Sequence, residues 1–224
     1  MTAYRLNNVE CRRGGFVLRV DDLLLERGEI YSVTGPNGCG KTSLLRVLAL
    51  LDRPVGGRVQ YGDDEVGYDD RSAWLRQRRS SAYLMQHPYL FNMSVYDNIA
   101  YGLRLRHVPL AEVRQRVHDV MERLTLERFA RRNAHTLSGG ESQRVALART
   151  FVLEAEVMLL DEFTSGVDRE YVETVEAYVR ELNRSHGTTV IFTTHSASQA
   201  HRMSDHPLTI SHGEVRACDA ASRR

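Results

Sequence analysis

The sequence has little cysteine, no long apolar run and almost no lysine. Its three cysteines, Cys11, Cys39 and Cys218, are widely spaced and odd in number, which argues against both a disulfide framework and a cysteine metal site. The longest apolar stretches, residues 44–51 and 157–160, fall far short of the roughly 20 residues that a membrane-spanning helix needs. Because the first residues also lack the apolar segment of a secretion signal, we expect a cytoplasmic protein.

Charge of one sign is not in excess either. The formal net charge of +1 provides no general attraction for nucleic acid, and no nucleic-acid partner is expected. Arg76, Arg78 and Arg79 form a local basic patch, which we interpret as the solvated face of a helix. A chain of 224 residues with 42% hydrophobic residues and no internal repeat is predicted to fold as a single domain.

Lys41 is the only lysine among the 30 lysine and arginine residues. The sequence therefore uses arginine at every other position that calls for a long cationic side chain. An arginine fork is planar and wider than an ammonium group, so it cannot replace a compact charge that reaches between phosphate oxygens. We infer that an ammonium group is chemically required at position 41.

Hydrophobic patterning alternates between strands and helices along the chain. Strands are predicted at residues 29–34, 58–61, 81–85, 157–161 and 188–194, and helices at 44–51, 110–124, 139–155, 169–185 and about 197–203. Gly187 is the expected cap at the end of the helix at 169–185. This alternation predicts an α/β fold whose mainly parallel sheet is covered on both faces.

Residues 86–155 stand apart because almost no strand is predicted there. We interpret them as a helical subdomain inserted into a core that residues 1–85 and 156–216 form. The last residues, 217–224, are small and polar, and they are expected to be a disordered tail. The three segments together are predicted to make one domain.

A glycine-rich loop follows the strand at 29–34 and opens the next helix. Its residues fit the P-loop pattern G-x-x-x-x-G-K-[ST]: Gly35, Pro36, Asn37, Gly38, Cys39, Gly40, Lys41 and Thr42. In this pattern the backbone N–H groups cradle phosphate oxygens, Lys41 reaches the terminal phosphates and Thr42 ligates magnesium. Ser43 adds one hydroxyl contact. A glycine turn that only connected strand and helix would not need lysine here, so ATP and Mg²⁺ are the predicted cofactors.

Two carboxylates follow a buried strand further along the chain. The apolar run 157–160 ends abruptly in Asp161 and Glu162, and in an α/β sheet such a strand end lies at the ligand-binding edge. Asp161 is predicted to hold magnesium, and Glu162 to orient and polarise the attacking water as a general base. Solvated acids are the alternative for this pattern taken alone, and the P-loop upstream favours the catalytic interpretation.

Serine, two glycines and glutamate mark the start of the helix at 139–155. Ser138, with the amides of Gly139 and Gly140, offers a second anion site, able to cap the terminal phosphate of ATP bound to another subunit. Ser138 and Glu141 also fit an ordinary capping box, and the two roles are compatible. LSGGE followed by SQRVALAR closely resembles the signature motif of ABC ATPases, which P-loop kinases and GTPases lack.

The resemblance to ABC ATPases extends from about Leu6 to Val215. It implies that Gln86 is the Q-loop glutamine, which contacts magnesium and water and senses the membrane partner. It also implies that residues 165–168 form the D-loop against the opposing subunit, and that His195 is the switch histidine on the terminal phosphate. The implied catalytic set is Glu162, His195 and Gln86, and the implied metal ligands are Thr42, Gln86 and Asp161. The implied fold is a P-loop NTPase core with an N-terminal antiparallel β portion and an inserted α-helical subdomain.

Two positions depart from the family pattern. The signature normally ends in glutamine, whereas Glu141 stands here; its carboxylate can still accept from a ribose hydroxyl, but it adds negative charge. The aromatic residue that stacks on adenine normally precedes the P-loop, and by spacing its place falls at Arg12 and Arg13, with Phe16 as the nearest ring. An arginine plane and Phe16 are the two candidates for this contact.

The resemblance implies a transport ATPase that works as a homodimer, peripherally on the cytoplasmic face of the cell membrane. Two copies would sandwich two ATP molecules and drive separate transmembrane permease subunits, with a substrate-binding protein in the same system. Soluble ABC ATPases of DNA repair insert a long coiled coil, and those of translation usually carry two such domains, features that this sequence does not show. That class and the small-molecule P-loop kinases are the disfavoured alternatives.

A short separate ATPase resembles the importer arrangement. The ATPases of tungstate and related oxyanion uptake systems are most similar, on the basis of residues 86–91, 94–98, 101–103 and 192–195. Phosphate, molybdate and amino acids stay open as cargoes because an ATPase does not touch the cargo. The aromatic residues Tyr89, Phe91, Tyr96 and Tyr101 either form a groove for a helix of the membrane partner or belong to the subdomain core.

Overall fold

The computed structural model describes residues 1–217 as ten strands and seven α-helices. The strands are β1 (Thr2–Arg13), β2 (Phe16–Glu26), β3 (Ile30–Thr34), β4 (Gly56–Tyr61), β5 (Asp64–Glu65), β6 (Ser81–Leu84), β7 (Val157–Asp161), β8 (Thr189–Thr193), β9 (His206–Ser211) and β10 (Glu214–Ala217). They form one sheet in the order β5-β4-β1-β2-β10-β9-β3-β8-β7-β6. The predicted α/β class is confirmed.

The sheet has a parallel half and an antiparallel half. Strands β9, β3, β8, β7 and β6 pair in parallel, and β7 and β8 are buried along their whole length. Strands β1, β2, β4 and β5 pair in antiparallel fashion and form the N-terminal β portion. Strand β10 joins the halves because it pairs with β9 on one side and with β2 on the other.

The helices are α1 (Lys41–Leu48), α2 (Arg71–Arg79), α3 (Val95–Leu105), α4 (Leu110–Arg123), α5 (Gly139–Phe151), α6 (Arg169–His186) and α7 (Ala197–Met203). Short 3₁₀ turns occupy Glu127–Phe129 and Ala134–Thr136. Between residues 86 and 155 the structure contains helices and turns but no named strand, as the sequence predicts. Within residues 1–217, no helix is long and apolar enough to cross a membrane.

Two hydrophobic cores lie on opposite faces of the sheet. One core joins the parallel strands to α3, α4, α5 and α6, and the other joins the β portion to α1. Adjacent residues of the central strands enter different cores, because side chains alternate along a strand. In β8, Phe192 packs into the first core and Ile191 into the second. The parallel strands are therefore held from both sides, which fixes the positions of their ends.

Several predicted boundaries differ from the structure. Helix α5 ends at Phe151 rather than at residue 155, because Glu154 adopts a left-handed backbone (φ 45°) in the link to β7. Helix α1 begins at Lys41, before the apolar run that predicts it. Ala217 is the last residue of β10, so it does not belong to the predicted disordered tail; the rest of that predicted tail lies outside the described residues.

Candidate active site

Four neighbouring parallel strands bring the motifs to one edge of the sheet. The order β3-β8-β7-β6 places the P-loop after β3, His195 after β8, Asp161 at the end of β7 and Gln86 after β6. Because these strands are parallel, their carboxyl ends lie at the same edge, where α/β sheets bind ligands. Residues more than 150 positions apart in the chain thus become neighbours.

The P-loop bends sharply between β3 and α1, and two of its glycines have no room for a side chain. A Cβ atom at Gly35 would lie 2.3 Å from the carbonyl oxygen of Ile210, and the backbone φ there is +151°. At Gly40, also at positive φ, a Cβ atom would lie 2.8 Å from Cζ of Phe16. These contacts explain why glycine is needed at both places, and they bring the Phe16 ring against the loop.

Lys41 begins helix α1, and its side chain turns back along the loop. The residue is only 6% exposed, and its Nζ atom donates to the carbonyl oxygens of Gly35 and Pro36, both at 2.9 Å. Two loop carbonyls thus hold the ammonium group at the cleft. The compact charge fits between them, and the predicted contact of Lys41 with phosphate oxygens stays a prediction.

Hydroxyl groups surround the buried carboxylate of Asp161, which is 1% exposed. Thr42 Oγ1 donates to one of its oxygens at 2.7 Å, and Thr193 Oγ1 donates to the other at 2.7 Å. The Tyr83 hydroxyl lies 3.5 Å from the same carboxylate, and burial, followed by the charge of Asp161, raises the pKa of Tyr83. A buried carboxylate beside a threonine hydroxyl is an oxygen donor set of the kind that Mg²⁺ prefers.

No protein cage for a metal accompanies this carboxylate. Among residues 1–217, no group of three or more histidine, cysteine, aspartate or glutamate side chains is arranged to hold a metal ion. Magnesium usually keeps several waters and binds through one or two carboxylates together with substrate phosphates. The residues present therefore fit a magnesium ion that arrives with a nucleotide.

Glu162 links the other two residues of the predicted catalytic set. Its Oε2 atom accepts from Nε2 of Gln86 at 2.9 Å, and its Oε1 atom lies 2.5 Å from Nε2 of His195. The backbone of Glu162 is left-handed (φ 49°), a conformation that is strained for a residue with a side chain. Thr193 holds it there, because its Oγ1 atom accepts from the Glu162 N–H at 2.9 Å.

These groups open onto a cleft of about 550 Å³. Its walls are Arg13, Phe16, Asn37, Gly38, Gly40, Lys41, Thr42, Ser43, Gln86, Glu162 and His195. Of the candidates for the base-stacking contact, Arg13 and Phe16 line the cleft and Arg12 does not. Arg12 instead donates to Glu10 at 2.7 Å.

The signature residues lie elsewhere on the chain. Ser138 and Glu141 form a complete capping box at the start of α5: the Glu141 N–H donates to Ser138 Oγ, and the Ser138 N–H donates to the Glu141 carboxylate. The hydrogen bond from the Ser138 backbone is the main reason that the pKa of Glu141 is lowered. Gly139 is exposed, and none of residues 138–141 lines the cleft. The signature residues are therefore not part of this cleft.

Gly140 packs against the predicted D-loop. A Cβ atom on Gly140 would lie 2.7 Å from a carboxylate oxygen of Asp168, which immediately precedes α6. The absence of a side chain at Gly140 therefore lets the loop of residues 165–168 approach the start of α5. The signature and the D-loop form one continuous surface, apart from the P-loop.

Sequence reasoning missed three residues that fix the geometry of the site. Thr193 bonds both the Asp161 carboxylate and the Glu162 N–H. Thr194 accepts from the Ser196 N–H in the turn after His195, and it donates to the buried side chain of Gln199. The two threonines directly before His195 are the only signal in the sequence, and they are equally typical of an ordinary strand.

The family described as ABC transporter matches residues 18–165 of the chain. The tungstate uptake system ATP-binding protein TupC of Peptoclostridium acidaminophilum is 37% identical over 206 residues, which are 92% of this chain and 92% of that protein. The spermidine/putrescine import ATP-binding protein PotA of Marinobacter nauticus is 39% identical over 90% of this chain, which spans only 53% of PotA. The resemblance inferred from the motifs is confirmed.

Solved structures with the same fold include dimeric cassettes. A post-hydrolysis dimer of the ATP-binding cassette MJ0796 bound to ADP and Pi matches with a TM-score of 0.85 at 27% identity, over 96% of this chain and 97% of that chain. For cbiO1 of Clostridium perfringens, part of the ABC transporter complex cbiONQ, the TM-score is 0.83 at 27% identity, over 96% and 87%. Sequence, fold and motifs agree that the chain belongs to the ABC transporter family, as one of its ATP-binding, ATP-hydrolysing subunits.

Proposed function

We propose that this ATPase powers the import of tungstate or a related oxyanion through separate permease subunits, in a system that includes a substrate-binding protein. The observation that supports its catalytic role is the convergence of Lys41, Glu162, Gln86 and His195 on one cleft. Asp161 lies behind them and bonds Thr42, which lines the same cleft. The similarity to TupC, which spans nearly the full length of both chains, supports the choice of cargo.

In the proposed mechanism the P-loop binds the phosphates of ATP. Backbone N–H groups of residues 37–42, at the end of the loop and the start of α1, surround the phosphate oxygens, and the Lys41 ammonium group exchanges its two carbonyl partners for them. Thr42, Asp161 and Gln86 would hold Mg²⁺, which when bound would neutralise charge on the terminal phosphates. Ser43 lines the same cleft and adds a hydroxyl contact.

The chemistry then depends on Glu162. Its carboxylate accepts the proton of the attacking water and orients that water toward the terminal phosphate. His195 and Gln86 hold this carboxylate from two sides, and all three side chains line the same cleft. With ATP and Mg²⁺ bound, His195 would contact the terminal phosphate, and Gln86 would help to hold the metal and the attacking water.

We place the second half of each site on another copy of the chain. Ser138, Gly139 and Gly140 carry N–H and hydroxyl donors at an exposed helix start outside the cleft, so they are free to contact a phosphate held by a partner. Glu141 is positioned by its capping box for a ribose hydroxyl. The dimeric state of the MJ0796 relative agrees with a homodimer in which each ATP lies between two chains.

An aromatic surface beside Gln86 is the proposed contact with the permease. Tyr89 is 63% exposed, and its ring meets those of Phe91 and His135; Phe91 in turn lies 4.7 Å, centre to centre, from Tyr101. Tyr96 differs, since it packs against the hydrophobic core and belongs to the helical region itself. Exposed rings next to the catalytic glutamine suit an apolar helix of a membrane subunit, and this contact supports the proposed position of the ATPase on the inner face of the membrane.

Transport can be tested in cells that lack this chain. Complementation with the unaltered chain is expected to restore tungstate accumulation, measured as cell-bound metal by mass spectrometry, whereas Lys41→Ala is not. Molybdate and sulfate uptake measured in parallel would identify the preferred oxyanion. Normal uptake of all three oxyanions in the deletion strain would contradict the proposed cargo and leave the ATPase assignment intact.

Arg13 and Phe16 form the part of the cleft that we assign to the adenine base, called here the base-binding wall, and this assignment gives a second prediction. Phe16→Ala is expected to raise the KM for ATP by about tenfold with kcat nearly retained, since stacking of a base on an aromatic ring is worth roughly 1–3 kcal/mol and each 1.4 kcal/mol is about tenfold in affinity. Phe16→Trp keeps the ring and should keep the KM. Arg12→Ala is the control, because Arg12 binds Glu10 outside the cleft. An increase in KM for Arg12→Ala and none for Phe16→Ala would show that the wrong wall is assigned.

A further inference from the structure

A buried polar cluster lies directly beneath His195, with Gln199 of α7 at its centre. Gln199 is 3% exposed and hydrogen-bonds to three other regions of the chain. Its Oε1 atom accepts from Thr194 Oγ1 at 2.6 Å. Its Nε2 atom donates to Thr164 Oγ1 at 3.0 Å and to Glu176 Oε1 at 2.9 Å. One amide thus contacts the end of β8, the loop after Glu162, and helix α6.

The charge of Glu176 fixes the orientation of this amide. Glu176 is 2% exposed, and Arg202 neutralises it through two hydrogen bonds of 2.8 and 2.6 Å. An ionised carboxylate only accepts, so the NH₂ group of Gln199 must face Glu176 and its oxygen must face Thr194. A flipped amide would leave a buried donor and a buried acceptor unsatisfied, which is costly. The ion pair of Glu176 and Arg202, which lies away from the cleft, therefore determines which way the Gln199 amide faces.

The hydrogen bonds of Thr194 connect the Gln199 amide to the backbone around His195. While Thr194 Oγ1 donates to Gln199, it also accepts from the Ser196 N–H at 3.0 Å, so the backbone on both sides of His195 is tied to one hydroxyl. Thr164 has the corresponding role on the other side, since it follows Glu162 by two residues and directly precedes the loop of residues 165–168. The same amide thus fixes the segments that carry His195, Glu162 and the D-loop relative to one another.

We infer that Gln199 is a positioning residue for hydrolysis, which holds the His195 segment and the D-loop segment at a fixed separation without touching nucleotide. The inference rests on the proposed roles of His195 and Glu162. Its chemical basis is that a neutral amide offers a donor and an acceptor in opposite directions, which the Thr194 hydroxyl on one side and the Glu176 carboxylate on the other both require. Neither a carboxylate nor an aliphatic side chain meets both needs.

The test compares two variants that each lose two or more hydrogen bonds of a side-chain amide, fully buried at Gln199 and partly buried at Asn183. Gln199→Leu is expected to lower kcat by about 10- to 10²-fold, as misplacement of a reacting group does, with the KM for ATP within about twofold. Asn183→Ala is the matched control: its Nδ2 atom bonds the carbonyls of Gly28 and Thr188 at the other end of α6. It should lower the thermal unfolding midpoint and leave kcat unchanged. Equal losses of kcat in both variants would reduce Gln199 to an ordinary stabilising residue.

Exchanging the amide and the carboxylate between positions 199 and 176 provides a rescue experiment. Gln199→Glu alone puts two buried carboxylates side by side and removes both donors of the amide, so kcat should fall. Glu176→Gln with Gln199→Glu restores one carboxylate and one amide beside Arg202, and kcat should recover at least partly. A double variant that is no faster than Gln199→Glu would overturn the inference.

Two further variants allow the inference to be tested even if Gln199→Leu does not fold, and separate its failure from that of the proposed function. If Gln199→Leu does not fold, Thr164→Val removes a single hydroxyl of the cluster and should still lower kcat several-fold with an unchanged KM. Wild-type kcat in a folded Gln199→Leu protein would refute the positioning role alone. His195→Ala must itself be slow; normal hydrolysis by that variant would refute the proposed role of His195 and the inference together.

Discussion

Replacing Glu162 with glutamine is expected to lower ATP hydrolysis by about 10²- to 10⁴-fold, the usual contribution of a general base. Glutamine has nearly the same shape, and its amide oxygen can still accept from Gln86, so binding of ATP should persist. What is lost is the capacity to take a proton from water. ATP that cannot be hydrolysed should then hold two copies of the chain together.

Hydrolysis and particle mass measured on the same sample test this expectation. In the presence of ATP and magnesium, light scattering coupled to size exclusion should show a stable dimer of Glu162→Gln and a slow release of phosphate. Glu156→Gln is a matched control: Glu156 immediately precedes the same strand, at its opposite end, where it accepts from Arg27 and Tyr61. This control should hydrolyse ATP normally. A Glu162→Gln protein that stays monomeric and active would disprove the assignment of the base.

Mixing two inactive variants is expected to restore hydrolysis. Lys41→Ala removes the phosphate-binding charge of the cleft, and Ser138→Arg blocks the signature with a bulky side chain. Within one chain the signature does not line the cleft, and in the proposed dimer a complete site combines the P-loop of one copy with the signature of another. In a mixed dimer one of the two sites then has both halves intact. With equal amounts, about one quarter of the wild-type activity is the most that random pairing in a twofold dimer can return.

The control for this experiment mixes two variants whose defects both lie in the cleft and not in the signature. Lys41→Ala mixed with Glu162→Gln leaves each cleft of the mixed dimer with a defect, so no activity should return. Mixed dimers are counted by native mass spectrometry with a tag on one variant. A proven mixed dimer of Lys41→Ala and Ser138→Arg without any recovered hydrolysis would contradict the shared site.

The sequence by itself determined the fold class and the family. A P-loop pattern between a strand and a helix, a buried strand that ends in two acids, and the run LSGGESQR are local features, because each depends on neighbours within about ten residues. The single lysine added a chemical reason for position 41. The capping box at Ser138 follows an equally local rule, and Ser138 accepts the expected backbone hydrogen bond.

Only the tertiary structure could decide which residues form the base-binding wall, because that depends on the register of two strands. Spacing along the chain pointed to Arg12 and Arg13, with Phe16 as the nearest ring, and left both kinds of contact open. In the β1 and β2 hairpin, Arg13 lies directly opposite Phe16, whereas Arg12 lies opposite Val17. Paired residues share a face of the sheet, and the next pair faces the other way. One residue of register thus places Arg13 and Phe16 at the cleft and turns Arg12 toward Glu10.

Strand order and buried contacts were likewise decided only by the tertiary structure. Strand β8 inserts between β3 and β7, and this order, which no local pattern encodes, brings Thr193 to Asp161 and His195 to Glu162. Gln199 carries no motif at all: it becomes significant because α7 packs where the ends of β7 and β8 meet α6. Local propensity and patterning act over a few residues, whereas these hydrogen bonds depend on the packing of elements that are distant in the chain.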